Sequence, residues 1–316
     1  MAVEIPKTLY SGKIKQLTLG KGDRAVTIGG ETSYPFYLFE GQMPNPPKIA
    51  MEVWDYPPED WPEAALKPFA DVIKDPVAWA KKCVNDYGAD MICLQLLSTD
   101  PNGLNRPAEE AAQAAKKVAD AIDVPLIVWG TASHDKDTEV LRRVAELCQG
   151  KNLLLAPIEE GDHKRIGAAA IGYQHVAVAS TPIDINLAKQ LNILLGNLGV
   201  SDQQIIIDPT VSGIGYGLEY AYSVMERVRM AALTQQDEKL QFPIICNISK
   251  ETWKTKEAKL PTEEDPKLGD VEKRGILLEA MSAMCMLLVG ADVLVMRHPE
   301  AIKLVRQMIS ELTSSQ

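Results

Sequence analysis

The stretch HVAVASTPIDINLAKQLNILLGNLGVSDQQIIIDP, residues 175–209, contains the unit from which the fold is predicted. It begins with an apolar run at 175–180, continues with a helical pattern, and ends in a second apolar run at 204–209. Neither run alternates polar with apolar residues, so each is predicted to be a strand that is buried on both faces. Two such strands separated by a helix are typical of a parallel βαβ unit.

The helix of this unit carries signals for its start and its end. Thr181 is predicted to cap it, Pro182 suits the first helical position, and Asp184 favours the positive end of the helix dipole. Gly199 is expected to end the helix. An apolar stripe at spacings of three and four is expected to face the sheet. The stripe comprises Leu187, Ala188, Leu191, Leu194, Leu195 and Leu198.

The same unit recurs along the chain. Eight apolar runs are predicted to be strands, at residues 48–54, 90–96, 125–130, 152–157, 175–180, 204–209, 243–248 and 292–298. With a helix after each, they extend over a length close to the roughly 250 residues of a typical (βα)8 TIM barrel, which is the predicted fold. A doubly wound open sheet is the alternative, but it would need a glycine-rich turn after its first strand, and VWDYPPEDWP at 53–62 contains no glycine.

Residues 1–47 do not fit the barrel repeat and are predicted to form a separate N-terminal hairpin and extended segment, with the TIM barrel at 48–316. Two strand-like runs, 14–19 and 25–28, are joined by GKGDR and predict a β-hairpin extension. An isolated hairpin is only marginally stable, so it is expected to pack on the barrel or on another chain. A second irregular segment, 249–270, follows the seventh barrel strand, and loops of this length are usually functional or mobile.

Charge and hydropathy narrow the classes of partner. The chain has 316 residues with 33 Lys and Arg against 43 Asp and Glu, a net charge of -10. Because no positive excess exists to neutralise phosphates or to bind anionic lipid, neither nucleic acid nor a membrane is expected as a partner. The N-terminus lacks the apolar core of a signal peptide, and no run reaches the roughly 18 apolar residues of a membrane span. A cytoplasmic protein is therefore expected.

The five cysteines contain no C-x2-C pair, so the chain is not expected to build an iron-sulfur or zinc site by itself. Cys93, Cys246 and Cys285 are each flanked by apolar residues and are predicted to be small buried hydrophobes.

The chemistry of a TIM barrel lies at the C-terminal ends of its strands. Polar or aromatic side chains end or follow the predicted strands at Glu52, Trp54, Gln95, Ser98, Thr99, Asp100, Trp129, Thr131, His134, Glu159, Glu160, Ser180, Thr181, Asp208, Thr210, Asn247, Ser249, Arg297 and His298. Only His134 and His298 of the four histidines fall there, and they are predicted to be a solvated loop residue and a helix cap rather than metal ligands. His175 starts its strand and is expected at the opposite end. A serine hydrolase triad is not favoured, since no G-x-S-x-G elbow occurs.

The segment DPTVSGIGYGLEY, residues 208–220, has glycines at 213, 215 and 217. Such glycines allow either a close approach of the backbone to a ligand or a tight turn with positive φ angles, and both interpretations remain open. G-x-G-x-G is not the dinucleotide fingerprint, so a nucleotide is not expected. Asp208 and Asn247 end adjacent strands, which suggests the hypothesis that they hydrogen-bond one edge of a flat heterocycle.

Three long motifs carry a resemblance to a known family: ETSYPFYLFEGQMPNPPKIAMEVWD (31–55), IDPTVSGIGYGLEYAYSVMERVRMAAL (207–233) and LVMRHPEA (294–301). They resemble the small subunit of the corrinoid iron-sulfur protein, the family that includes the delta subunit of the acetyl-CoA decarbonylase/synthase complex. The resemblance extends over nearly the whole chain.

The resemblance implies a function in the reductive acetyl-CoA pathway. The barrel would form a heterodimer with a large subunit that carries the corrinoid (cobamide) domain and the 4Fe-4S cluster. That heterodimer would take a methyl group from methyltetrahydrofolate through a methyltransferase and pass it to the nickel site of acetyl-CoA synthase. Since this chain has neither cluster spacing nor a D-x-H-x-x-G corrinoid motif, both cofactors would come from the partner.

In this interpretation the barrel caps the corrinoid and protects it from water and oxidants. The residues expected to face the corrin are Thr131, Thr181, Asp208, Thr210, Gly213, Gly215, Asn247 and Arg297. No catalytic residue, metal ligand or axial ligand is assigned.

Two alternatives belong to other functional classes. In the first alternative, the barrel itself is a methyltransferase that binds a pterin at Asp208 and Asn247. In the second, the chain is mainly an assembly scaffold that docks other proteins through the hairpin and the segment 249–270.

Overall fold

The computed structural model describes residues 5–314. A two-stranded antiparallel hairpin precedes an eight-stranded parallel sheet. The strands are β1 (Leu17–Leu19), β2 (Val26–Ile28), β3 (Lys48–Trp54), β4 (Met91–Gln95), β5 (Leu126–Trp129), β6 (Leu154–Ile158), β7 (Val176–Ser180), β8 (Ile205–Asp208), β9 (Ile245–Asn247) and β10 (Val293–Met296). The helices are α1 (Glu63–Leu66), α2 (Pro76–Asn85), α3 (Ala108–Ala121), α4 (His134–Leu147), α5 (His163–Tyr173), α6 (Ile185–Leu198), α7 (Leu218–Thr234), α8 (Ile248–Trp253), α9 (Lys256–Lys259), α10 (Val271–Leu288) and α11 (Pro299–Thr313).

The parallel sheet closes on itself. Its strand order is β8-β7-β6-β5-β4-β3-β10-β9, and a parallel bridge between Ile207 and Ile244 joins the two edge strands. At this seam the amide of Ile207 donates to the carbonyl oxygen of Pro243 at 2.8 Å. The predicted TIM barrel is therefore confirmed, and the open sheet is not formed.

The predicted hairpin is also confirmed, and it closes the N-terminal end of the barrel. Leu17, Leu19 and Ile28 are buried in one cluster with inward-facing side chains from the strands. The Asn152 side-chain amide, just before β6, donates to the carbonyl oxygens of Thr18 and Gly20 at 2.9 and 3.1 Å. The apolar face of the hairpin thus packs inside this chain rather than on another chain.

A buried ion pair lies where the segment that follows the hairpin meets the barrel. The Arg229 guanidinium on α7 is fully buried and donates to the Asp292 carboxylate at 2.5 Å and to the Phe242 carbonyl oxygen at 3.0 Å. Burial, followed by the negative charge of Asp292, raises the pKa of Glu31 well above its usual value. A neutral Glu31 beside the Arg229–Asp292 pair avoids an uncompensated charge in the interior.

Helix α6 differs from its prediction at the start. It begins at Ile185, and Asp184 is its N-cap, accepting from the amides of Asn186 at 2.7 Å and Leu187 at 3.1 Å. The prediction of Thr181 as the cap was wrong, because residues 181–184 form a loop that joins the strand to the helix. The predicted end is confirmed by Gly199, which has a φ of 102°.

The apolar stripe of α6 is wider than the sheet requires. Ala188, Leu191 and Leu195 are buried, whereas Leu187 and Leu198 are exposed, contrary to the expectation that the whole stripe faces the sheet. The extra leucines are therefore available to line a surface beside the barrel.

The irregular segment 249–270 contains most of α8 and all of α9 rather than a continuous loop. Cys93 and Cys246 are buried as predicted, while Cys285 is partly exposed on α10. Within residues 5–314, no helix combines the length and the apolar character needed to cross a bilayer.

Candidate functional site at the barrel mouth

The inward-facing side chains change from apolar to polar at the C-terminal ends of the strands. A cavity of about 150 Å³, called here the inner cavity, opens at this end. Its walls are formed by Trp129, Ala132, Pro157, Glu159, Ser180, Asp208, Thr210, Val211, Ser212, Asn247, Lys250 and Glu251. The inner cavity therefore lies where TIM barrels place their functional groups.

Asp208, the last residue of β8, lies in the wall of the inner cavity. Its carboxyl group accepts from the Ser180 hydroxyl at 2.8 Å and from the Thr210 amide at 3.0 Å. Burial raises the pKa of Asp208 from 3.8 to about 7, with smaller contributions from the negative charges of Glu159 and Glu251. Near neutral pH this carboxyl group exists in both protonation states and can donate or accept a hydrogen bond.

Asn247 ends β9 and lines the same cavity, as expected for a residue on the neighbouring strand. Its Oδ1 accepts from the Ser249 hydroxyl at 3.2 Å, and the side chain is 7% exposed. Asp208 and Asn247, which the sequence predicts to lie side by side, thus line the same small cavity.

A larger cavity of about 630 Å³, called here the outer cleft, adjoins the inner one. The two share Glu159 and Ser180. The outer cleft is lined by His134, Glu159, Glu160, Gly161, Ser180, Thr181, Pro182, Leu187, Gln190, Leu191 and Leu194. Polar loop residues form one side of it, and leucines of α6 form the other.

His134 is held at the edge of the outer cleft by two carboxylates. Its Nδ1 lies 3.2 Å from Asp162 Oδ2 and 3.5 Å from Glu159 Oε2. The hydrogen bond to Asp162, with help from the charge of Glu159, raises the pKa of His134. Burial raises the pKa of Glu159 and that of Asp162.

Thr181 and Thr210 connect the two loops that separate the cavities. The Thr181 amide donates to the Asp208 carbonyl oxygen at 3.0 Å, and the Thr210 hydroxyl donates to the Thr181 carbonyl oxygen at 3.1 Å. Thr210 has a φ of 49°, an uncommon conformation for a residue with a branched side chain. Thr181 is 5% exposed, and its hydroxyl has no hydrogen-bond partner.

Thr131, Gly213 and Gly215 lie outside both cavities. The Thr131 hydroxyl donates to Asp137 Oδ1 at 3.1 Å. A side chain at Gly213 would meet the Gly217 carbonyl oxygen at 2.4 Å, and Gly215 has a φ of 98°. These contacts favour the tight-turn interpretation of the glycine segment.

Arg297 is used in a buried ion pair. Its Nε donates to Glu52 Oε2 at 2.7 Å, and its guanidinium lies 3.5 Å from the centre of the Trp61 ring. Trp54 Nε1 donates to the other oxygen of Glu52 at 2.9 Å. Arg297 thus joins β3 to the chain following β10 and is covered by tryptophans.

Of the eight predicted contact residues, the structure brings Thr181, Asp208, Thr210 and Asn247 to the two cavities. Ser180 and Glu159 line both cavities and are not among these eight residues, although their position at strand ends indicates the barrel mouth. The sequence does not indicate that Gln190 lines the outer cleft, because a polar residue on an amphipathic helix usually faces solvent.

The predictions for His298 and His175 agree with the structure, whereas His134 begins α4 rather than lying in a loop, and its half-exposed ring pairs with Asp162. His298 caps α11 by accepting from the Glu300 amide at 3.2 Å. His175 is buried at the start of β7, where its Nδ1 accepts from the Leu153 amide at 3.1 Å. Among residues 5–314, no group of three His, Cys, Asp or Glu side chains is arranged to hold a metal ion.

Solved structures with the same architecture define the class as a TIM barrel similar to dihydropteroate synthases. The Xanthomonas albilineans enzyme with 4-aminobenzoic acid has a TM-score of 0.59 at 13% identity, covering 95% of this chain and 98% of that chain. The Thermus thermophilus enzyme in complex with 6HMPPP has a TM-score of 0.55 at 19% identity, covering 95% of this chain and 100% of that chain. At these identities the likeness shows the fold.

Sequence comparison gives the family. The model described as CO dehydrogenase/acetyl-CoA synthase delta subunit matches residues 16–312. The acetyl-CoA decarbonylase/synthase complex subunit delta of Archaeoglobus fulgidus is 38% identical over 97% of this chain and 70% of its own length. The subunit delta of Methanopyrus kandleri is 39% identical over 91% of this chain and 70% of its own length. The chain belongs to the CO dehydrogenase/acetyl-CoA synthase delta subunit family, as the resemblance of its three motifs predicted.

Proposed function

We propose that this chain is a cytoplasmic subunit of an acetyl-CoA decarbonylase/synthase assembly and that its barrel mouth covers a corrinoid held by a larger partner. The partner would carry the corrinoid domain and the 4Fe-4S cluster. The pair would take a methyl group from methyltetrahydrofolate through a methyltransferase and deliver it to acetyl-CoA synthase. The observation that carries the proposal is the family match over residues 16–312.

The residues at the mouth fit a corrinoid. A corrin ring is flat, carries amide side chains around its edge, and is too broad for a cavity of about 150 Å³. It would therefore lie across the rim, above Asp208 and Asn247. The Thr181 hydroxyl, which lacks a protein partner, is suited to an amide of the ring edge.

Within this proposal the eight predicted residues have two kinds of role. Thr181, Asp208, Thr210 and Asn247 would contact the corrin through the polar groups at the cavities. Thr131, Gly213, Gly215 and Arg297 would keep the rim loops in position, through the turn and ion-pair contacts described above.

The barrel contributes shelter and orientation. When bound, the corrinoid supplies the cobalt that accepts and passes on the methyl group. Trp54 and Trp61, packed edge to face at 5.0 Å, give one side of the mouth a rigid apolar wall that excludes water. The hydrogen bonds among Ser180, Asp208 and Thr210 fix the polar groups before the ring arrives.

Co-expression with the larger subunit tests this function. We expect a coloured heterodimer that contains cobalt and iron, and we expect the Thr210→Val/Asn247→Leu variant to lose corrinoid absorbance while the heterodimer persists. Thr18→Val, an exposed threonine at the opposite end of the barrel, is the matched control. A colourless heterodimer, or a colourless monomer with its own activity, would contradict the proposal.

The inner cavity supports a second candidate, a pterin-binding methyltransferase. Asp208, Asn247 and the flat Trp129 ring line one cavity, in which a flat heterocycle would meet polar groups beside an aromatic face. Titration of the chain alone with methyltetrahydrofolate separates the two functions. Tight binding without any partner, lost in Asp208→Ala, would favour the pterin enzyme.

The scaffold alternative relied on the hairpin and on residues 249–270. Because Leu17, Leu19 and Ile28 are buried within the barrel, the apolar face of the hairpin is not available for docking. The exposed polar face of the hairpin and the segment 249–270 are left to that alternative.

A further inference from the structure

The outer cleft is the largest of the cavities described for the barrel mouth, and the inner cavity does not account for it. It lies between the loops that follow β6 and β7 and the first turns of α6. Its volume of about 630 Å³ is within the range of small-molecule sites. The cleft is therefore large enough for a ligand group that reaches beyond the barrel axis.

Thr181 gives the first indication of what the cleft binds. Its backbone amide and carbonyl oxygen are both engaged, with Asp208 and Thr210, so the residue is fixed in place. Its hydroxyl is nevertheless buried without a partner, and Thr181 is one of the residues that line the cleft. A buried hydroxyl is destabilising unless it forms a hydrogen bond, so a ligand that completes this bond would be favoured.

The charges of the cleft exclude an anion. Glu159 and Glu160 line it, and Asp162 lies behind His134. The lining includes one basic ring, His134, against these acidic groups, and burial raises the pKa of Glu159 and that of Asp162. A phosphate or carboxylate group entering the cleft would therefore meet acidic side chains and no excess of positive charge.

The polar groups of the cleft include both hydrogen-bond acceptors and hydrogen-bond donors. They therefore suit a ligand that carries a donor and an acceptor. The carboxylate oxygens accept N–H groups, whereas the Thr181 hydroxyl and the Gln190 amide can donate to a carbonyl oxygen. A simple cation would satisfy only the carboxylates. Leu187, Leu191 and Leu194 offer an apolar wall to an aliphatic stem.

We propose that the outer cleft is a binding site for an uncharged primary amide on an aliphatic stem, and that an amide arm of the corrinoid occupies it. The amide N–H groups donate to Glu159 or Glu160, its oxygen accepts from Thr181 or Gln190, and its stem packs on the leucines of α6. This inference rests on the proposed function and adds to it the part of the cofactor that the cleft recognises.

The test uses the heterodimer with its larger partner, stripped of corrinoid and reloaded with one of two probes. Dicyanocobinamide carries amide arms, whereas dicyanocobyrinic acid has the same ring with carboxylates. We expect the heterodimer to bind cobinamide and to discriminate against cobyrinic acid. Thr181→Val should weaken cobinamide binding about tenfold, and Gln190→Leu should weaken it less. Gln190 is exposed, so its variant is expected to fold normally.

The outcomes separate this inference from the function on which it rests. If neither probe binds to the heterodimer, the corrinoid function itself is wrong. If cobinamide binds equally well to wild type and to both variants, or if cobyrinic acid binds as well as cobinamide, only the amide site is wrong. Thr18→Val should match wild type throughout. In the corrinoid-free chain Thr181→Val should leave the free energy of unfolding unchanged or raise it, since no existing hydrogen bond is removed.

Discussion

The N-terminal end of the barrel is filled by apolar side chains of the hairpin, whereas the C-terminal end is polar and open. Leu17, Leu19 and Ile28 are buried in one cluster with the interior residues they cover, and the Arg229–Asp292 pair behind them is satisfied by hydrogen bonds. At the mouth, Asp208 is buried beside other carboxylates, and the Thr181 hydroxyl lacks a partner. One end is thus arranged for stability, and the other retains unfavourable features that a ligand can relieve.

Removing a charge from the N-terminal end should have the largest effect. Asp292→Ala leaves the Arg229 guanidinium buried without its carboxylate and removes the acceptor of the Ile244 amide. We expect the free energy of unfolding to fall by about 3–5 kcal/mol, as measured by urea denaturation. The exposed Asp123→Ala is the control. A loss below about 1 kcal/mol would show that the pair does not anchor this end.

Truncating the hairpin core should have the next largest effect. Leu19→Ala opens a cavity beneath the strands, and we expect it to lower the free energy of unfolding by about 3 kcal/mol. Leu9, which is 92% exposed, supplies the matched control Leu9→Ala, which should change little. Equal effects of the two substitutions would mean that the hairpin does not close the barrel in solution.

At the mouth, removing a buried acidic group should raise the free energy of unfolding instead of lowering it. The pKa of Asp208 is about 7 in the folded chain against an ordinary value of 3.8, so the folded state disfavours the ionised form. Asp208 imposes no cost below pH 3.8, an increasing cost as the pH rises towards 7, and its full cost above that.

We therefore expect Asp208→Asn to be more stable than wild type at pH 8, by up to about 4 kcal/mol, and this difference to shrink towards pH 4. Urea denaturation at pH 4, 6 and 8 measures it, with Asp123→Asn as control. A variant that is less stable than wild type at pH 8 would contradict the assigned environment of Asp208.

The smallest effect is expected at the exposed ion pair beside the hairpin turn. Arg24 donates to Asp123 at 2.9 Å, but both side chains are exposed. Arg24→Ala should change the free energy of unfolding by no more than about 0.5 kcal/mol in a urea titration. A loss as large as that of Leu19→Ala would mean that this surface contact, rather than apolar burial, fixes the hairpin.

The sequence predicts the features that depend on neighbouring residues. The continuous apolar runs predict the eight strands, and Gly199 predicts the end of α6, because periodicity and a left-handed cap are local properties. The start of α6 was misplaced because Thr181, Pro182 and Asp184 all carry cap signals, and only the chain direction after β7 selects Asp184.

Features of the site that join distant residues were not predictable. Glu52 and Arg297 meet only because the first and last barrel strands are neighbours in the closed sheet. The position of Arg297 at a strand end therefore does not predict that it is already paired with Glu52. His134 and Asp162 likewise meet across the loops after β5 and β6. The strand ends predicted which residues surround the mouth, but not which of them are already paired.

A structure of the heterodimer with its larger subunit, determined by cryo-electron microscopy with the corrinoid bound, would test the proposed capping most directly. We predict that the corrin ring lies across the carboxyl ends of β7, β8 and β9, within hydrogen-bonding distance of Thr181, with the hairpin end facing away. A corrin ring bound elsewhere, with the barrel mouth facing solvent, would contradict the proposal.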